Sequence, residues 1–123
     1  VIDKNGVLIT SEETYSYSFS SILSWSPDST AIITNDNFYV MSFDIVKNLP
    51  RVIFNNTDTK SYYITDWSDD GKYIVGAEYN YDSEGEFDYS NLIMANPDGT
   101  GLRRLTNNVS GSKAVVTEPH FAK

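Results

Sequence analysis

Four acidic side chains alternate with other residues on either side of Gly85: Asp82, Glu84, Glu86 and Asp88. Hard cations such as Ca²⁺ prefer several carboxylate oxygens on flexible backbone, so this stretch is a candidate Ca²⁺ site. It is not an EF-hand, because the spacing of that calcium loop is absent. The alternative is a solvated hairpin tip, whose charges protect a strand edge from aggregation.

Aromatic residues flank the same stretch: Tyr79, Tyr81, Phe87 and Tyr89. Tyrosines beside carboxylates are a plausible surface for a carbohydrate or a peptide, and these four are the candidate ligand-binding residues. Aromatic residues on strands also pair with one another across hairpins, which is the structural alternative.

Residue patterns that indicate catalysis are missing from the sequence. His120 is the only histidine, and the chain has no cysteine. No G-x-S-x-G nucleophile elbow is present, and no spacing predicts two carboxylates at the separation that glycoside hydrolysis needs. We therefore predict a protein that is not an enzyme and has no cofactor apart from the candidate Ca²⁺.

A five-residue motif, which we call the cassette, occurs twice in the sequence and predicts the strands and turns that position these residues. Trp25-Ser26-Pro27-Asp28-Ser29 returns as Trp67-Ser68-Asp69-Asp70-Gly71, so the two tryptophans stand 42 residues apart. Each copy lies between two short apolar runs, and its Pro, Asp and Gly residues favour a tight turn. The pattern predicts strand, turn and strand, with the tryptophans at equivalent, largely buried sites. By spacing, Phe121 takes the third Trp position.

Further short apolar runs complete two units of four strands. We place one blade-like unit at about 22–56 and the next at about 62–107, with flanking strands at 1–10 and 114–123. The second unit carries an insertion, residues 80–89, which we interpret as a loop. No segment has the apolar periodicity and caps of a helix. The fold class is all-β, with antiparallel strands because the connections are short.

The composition narrows the choice of partners. The 123 residues carry a net charge of −8, and Arg103-Arg104 is the only pair of adjacent basic residues. Because a nucleic-acid binder needs basic residues against phosphates, nucleic acid is not expected as a partner. No run reaches the length of an apolar membrane span, so membrane insertion is not expected either.

The two cassettes resemble the W/F-S-P-D-G turn of TolB-type, WD-like propeller repeats. The stretch from Ile93 to Thr106 is similar to that family's I-x-x-M-N-x-D-G-x-x-x-R-L-T segment. Together these motifs span almost the entire chain. The resemblance implies a β-propeller of four-stranded antiparallel blades, of which this chain holds about two plus flanking strands.

The resemblance also implies a function. It favours a non-enzymatic platform that binds a protein, a peptide or a glycan, within a larger protein in an extracytoplasmic location, either periplasmic or secreted. The alternative is the accessory propeller of a prolyl-oligopeptidase, a dipeptidyl-peptidase or a glycan-active enzyme. Two blades do not close a ring, so we expect missing sequence to supply the rest or copies to self-associate through their terminal strands.

Overall fold

The computed structural model describes residues 23–122, and these form eight β-strands. The strands are β1 (Leu23–Trp25), β2 (Ala31–Asn35), β3 (Tyr39–Asp44), β4 (Leu49–Asn55), β5 (Lys60–Trp67), β6 (Ile74–Tyr81), β7 (Phe87–Ala95) and β8 (Arg103–Arg104). They make two four-stranded sheets, ordered β1-β2-β3-β4 and β5-β6-β7-β8. We call these the first and second sheets.

The prediction of an all-β antiparallel fold is confirmed. Every pairing within both sheets is antiparallel, and no helix occurs between residues 23 and 122. Within each sheet, every strand is hydrogen-bonded to the next one along the chain, because the connecting segments are too short for a crossover. The two sheets do not form a closed ring, so the propeller remains a prediction.

The repeated cassette folds in the same way in both sheets. The Asp28 carboxylate accepts a hydrogen bond from the Ser26 hydroxyl at 2.7 Å, and Asp70 accepts one from Ser68 at the same distance. Both aspartates also accept a backbone N–H two residues further on, at 3.0 Å. The recurrence explains the motif, because its serine and aspartate close the turn between β1 and β2 in the first sheet and between β5 and β6 in the second.

The hydrophobic core lies between the two sheets. Ile33, Val40 and Phe54 of the first sheet pack with Ile64 and Trp67 of β5, and further aliphatic residues of the second sheet complete the cluster. Burial of this apolar surface holds the sheets together, since each side chain of this size contributes roughly 1.5–3 kcal/mol when fully buried.

Two polar contacts fix how the sheets meet. The side-chain amide of Asn35 donates to the Ile64 carbonyl and accepts the Ile64 N–H, both at 2.8 Å. The indole Nε1 of Trp67 donates to the Ser24 carbonyl at 3.1 Å. Because β5 carries both Ile64 and Trp67, it is the strand that joins the second sheet to the first.

The two tryptophans differ in burial. Trp67 is 6% exposed, as predicted for its position between sheets. Trp25 is partly buried, less deeply than Trp67. The first sheet packs against Trp67, whereas Trp25 lies on the face of the first sheet that points away from the second sheet. The predicted flanking strand at 1–10 lies outside the described residues.

The segment that follows β8 crosses the far face of the second sheet without forming a strand. Its N–H and carbonyl groups bond mainly to side chains: Phe121 N–H donates to the Asp66 carboxylate at 2.8 Å, and Tyr79 donates to the Val116 carbonyl at 3.1 Å. Thr65 donates to the Pro119 carbonyl. The predicted flanking strand at 114–123 is therefore wrong through Ala122, because no backbone ladder forms there. We call residues 114–122 the rear arm.

The insertion at 80–89 is also not the predicted loop. β6 continues to Tyr81 and β7 begins at Phe87, so only residues 82–86 form a turn. Asn80 pairs with Tyr89, and Tyr81 pairs with Phe87. The alternation of aromatic and polar residues extends the hairpin, and Gly85 adopts the positive φ of 82° that closes it.

Candidate functional site

An open cleft of about 700 Å³ lies at one end of the two sheets. The β2–β3 turn, the β4–β5 connection, the start of β5, the end of β6 and the rear arm all meet there. In an antiparallel meander every second connection emerges at the same end, which brings these segments together. The lining residues are Asp36, Asn37, Asn56, Thr57, Ser61, Tyr62, Tyr63, Tyr79, Tyr81, Thr117 and Glu118. We call this site the tyrosine cleft.

Four tyrosines dominate the lining, and the protein holds three of them in place. Tyr62 stacks on Phe54 with ring centroids 4.8 Å apart. Tyr79 donates its hydroxyl to the rear arm, and the Tyr81 hydroxyl lies 3.0 Å from that of Ser61. These rings are ordered before any ligand arrives, so binding would cost little side-chain entropy.

The electrostatic environment of the cleft is negative. Burial raises the pKa of Tyr79, and the neighbouring Tyr63, Tyr81 and Glu118 raise it further. Burial also raises the pKa of Tyr62, as does the charge of Glu78. Tyr62 and Tyr79 therefore remain neutral well above pH 7. Among the described residues of the lining, Asp36 and Glu118 are the two carboxylates, and none is Lys, Arg or His.

The predicted ligand-binding aromatics divide into three groups. Tyr79 and Tyr81 line the cleft. Phe87 supports Tyr79 from outside the cleft, edge to face at a centroid distance of 6.2 Å. Tyr89 lies opposite Asn80, so strand alternation places it on the other face of the second sheet from Tyr79.

The four carboxylates of the candidate Ca²⁺ site are not grouped for binding a cation. Asp82 accepts the backbone N–H groups of Glu84 and Glu86, both at 3.0 Å, which is a turn-closing role. Asp88 is 8% exposed and accepts hydrogen bonds from Ser110 and from the backbone of Gly111. Between residues 23 and 122, no three His, Cys, Asp or Glu side chains are placed to hold a metal ion.

His120 lies on the rear arm, where its Nδ1 is 3.7 Å from the Asp66 carboxylate. The imidazole is mostly exposed and outside the cleft. Asp66 also accepts the N–H of Phe121. The imidazole therefore lies at a contact between the rear arm and β5 and not among the cleft residues.

The second sheet also contains a buried carboxylate that no sequence motif singles out. Glu78 is 1% exposed and accepts two hydrogen bonds from Arg104, at 2.9 and 2.8 Å. Asn80 donates a third, and the Lys60 ammonium lies 3.6 Å away. Burial alone would raise the pKa of Glu78, but the bonds from Arg104 and Asn80 and the charge of Lys60 outweigh it and lower that pKa.

Most of the cleft residues also escaped sequence reasoning, although a signal was present. Asn37 and Thr57 lie in the β2–β3 and β4–β5 connections, and Tyr62 and Tyr63 lie on β5, with no motif that marks them as a site. Counting the strand directions would have placed the β2–β3 and β4–β5 connections at the same end of the sheets as the β6–β7 turn. The cleft could therefore be inferred only from the strand directions, because no sequence motif marks its residues.

No protein-family model matches the chain, and no curated protein matches its sequence. In the described part of the chain, no helix has the length and apolar character of a membrane span.

Proposed function

We propose that this chain is part of a TolB-type β-propeller that serves as a non-catalytic binding platform, and that the tyrosine cleft receives a peptide, protein or glycan. The observation that carries the proposal is the cleft itself. Its volume of about 700 Å³ falls in the usual range for ligand sites. Its lining combines four tyrosine rings with seven polar or charged side chains, and such rings and polar groups supply the contacts that orient a ligand.

Two features of the sheets support the propeller part of the proposal. The cassette makes the same hydrogen bonds in both sheets. In addition, the Trp67 indole bonds to the backbone carbonyl of Ser24, the residue before the first cassette, while the Phe121 N–H bonds to the carboxylate of Asp66, the residue before the second. Residues at the predicted Trp positions 67 and 121 thus both contact the residue that precedes the previous cassette. An extracytoplasmic location within a larger protein follows from the family resemblance alone and is proposed on that basis.

The binding role is tested by blocking the cleft. Thr57 is exposed and lines the cleft, whereas Thr59 is exposed in the same connection but does not line it. We expect Thr57→Trp to abolish binding on peptide and glycan arrays, and Thr59→Trp to leave it unchanged. Retained binding by a folded Thr57→Trp protein would show that the cleft is not the site.

An enzymatic role is the alternative function. Turnover of a peptide or glycan by the isolated chain would contradict the binding-platform proposal. Product analysis after incubation with the ligands found on the arrays distinguishes the two roles.

A further inference from the structure

We propose that the tyrosine cleft selects a peptide through a cationic side chain, lysine or arginine. This inference rests on the proposed binding function and specifies its ligand. Three features support it: the negative charge of the lining, the hydrogen bonds that tyrosine hydroxyls already make within the protein, and the ion pairs that two basic residues of the second sheet make outside the cleft.

The charge of the lining favours a cation. Asp36 and Glu118 contribute two carboxylates, and no lining residue between 23 and 122 is basic. The chain as a whole carries a net charge of −8, so the long-range field also attracts cations. Oxygen Oδ1 of Asp36 accepts the N–H groups of Phe38 and Tyr39, which fixes this carboxylate at the rim.

The tyrosines favour a cation over a sugar. Tyr79 already donates its hydroxyl to the Val116 carbonyl, and the hydroxyls of Tyr81 and Ser61 are bonded to each other. A glycan needs uncommitted hydrogen-bonding groups to replace its water. A Lys or Arg side chain needs only the ring faces, whose quadrupoles attract a cation, together with nearby carboxylates.

Two basic side chains of the second sheet do not compete for the cleft. Arg104 forms a bidentate pair with Glu78, and the Lys60 ammonium lies against the same carboxylate. Neither lines the cleft. Asp36 and Glu118 therefore have no basic neighbour among the described lining residues, which leaves them available to a cation from a ligand.

The test is an NMR titration of the isotope-labelled chain with capped pentapeptides Gly-Gly-Xaa-Gly-Gly. In these peptides Xaa is Lys, Arg, acetyl-lysine or Glu. We expect the Lys and Arg peptides to shift signals of Tyr63 and Tyr81 and to bind about tenfold more tightly than acetyl-lysine, as one cation–π contact and one exposed ion pair together predict. The preference should shrink at 1 M salt, where the screening length is only about 3 Å.

Matched variants assign the effect to the two carboxylates. Asp36→Asn keeps an oxygen for the turn, and the double variant Asp36→Asn, Glu118→Gln should lose the preference for Lys over acetyl-lysine. Glu84→Gln makes the same change of charge at the exposed β6–β7 turn, outside the cleft, and should keep the preference.

The other outcomes separate this inference from the function on which it rests. Equal binding of Lys and acetyl-lysine peptides in the cleft, or binding of a neutral glycan there without any Lys preference, would overturn the cation inference and leave the binding platform standing. If neither peptides nor an array of glycans perturb the cleft, both proposals fall.

Discussion

At the scale of single residues, the most consequential contact is the one made by Glu78. A carboxylate that is 1% exposed costs free energy unless it is paired and hydrogen-bonded. Arg104, Asn80 and Lys60 supply that compensation from β8, β6 and β5. The pair thus ties the short outermost strand β8 to the middle of the second sheet.

The lowered pKa of Glu78 predicts an acid-labile contribution to stability. Because the pKa is lower in the folded chain than the ordinary 4.5, the contribution is full above about pH 4.5 and is lost as the pH falls through the folded value. We expect Glu78→Gln to lower the free energy of unfolding by about 1.5–3 kcal/mol at pH 7. Urea denaturation between pH 2.5 and pH 7 measures both effects.

The control for Glu78 is Glu84, which is exposed and whose side chain has no described hydrogen bond. Glu84→Gln should change stability by less than about 0.5 kcal/mol, as is usual for surface positions. The loss caused by Glu78→Gln should diminish below pH 4.5. A loss that stays constant with pH would show that the charge of Glu78 is not what stabilises the sheet.

A second residue-scale feature distinguishes the two copies of the cassette. Ser29 and Gly71 occupy the same turn position with φ of 61° and 72°. This left-handed region costs a residue with a Cβ about 1–2 kcal/mol, whereas glycine enters it freely. The first copy therefore carries strain that the second avoids.

Exchanging the two residues tests the equivalence of the turns. We expect Ser29→Gly to stabilise the protein by about 0.5–1 kcal/mol and Gly71→Ser to destabilise it by about 1 kcal/mol. A Cβ at position 71 would meet only the Pro27 ring, at 3.9 Å, so the cost comes from the backbone and not from a clash. Thermal unfolding gives both values, and effects of equal sign would contradict the shared turn geometry.

At the scale of elements, β5 determines how the second sheet meets the first. Its partners Asn35 and Ser24 come from two different strands of the first sheet. β5 is therefore hydrogen-bonded through its backbone to the second sheet, while its side chains and the Ile64 backbone contact the first sheet. The Trp67 indole is the largest of these side chains.

Truncating the two tryptophans should therefore have unequal effects. We expect Trp67→Ala to cost about 3–5 kcal/mol, as for other large buried aromatics. Trp25→Ala should cost less, since Trp25 is only half-buried. Urea denaturation of the two variants makes the comparison. Equal losses would mean that Trp25 is as deeply packed as Trp67.

The elements also show what sequence reasoning could supply. Alternating apolar residues and the cassette turns predicted all eight strands of the two sheets within a few residues, because these signals are local. The hairpin at 82–86 was misjudged, since the charged residues hid the alternation of Tyr79, Tyr81, Phe87 and Tyr89. The cleft could not be predicted from motifs, because it forms where distant turns converge.

At the scale of the whole molecule, the rear arm lies where the repeat predicts a further strand equivalent to β1 and β5. β1 and β5 each form a ladder with the strand that follows, whereas the rear arm is held by side chains of Thr65, Asp66, Tyr79 and Ser90. Several of its apolar residues remain accessible, including Val115 at 58% exposure. A segment that has no strand partner and exposes apolar side chains tends to recruit another strand.

We therefore expect the 123-residue chain to self-associate in solution, with the rear arm at the contact. Light scattering should give a mass above that of one chain and rising with concentration. Val115→Lys should lower that mass, because a charge on an exposed strand disfavours pairing of edges. Val46→Lys is the control, since Val46 is similarly exposed at 76% but lies in the β3–β4 turn.

Hydrogen exchange should show the amides of Val116 and Phe121 protected in both variants, because both N–H groups are hydrogen-bonded to side chains of the same chain. A mass equal to one chain at every concentration, with those amides protected, would show that the rear arm satisfies the second sheet by itself and that self-association is wrong.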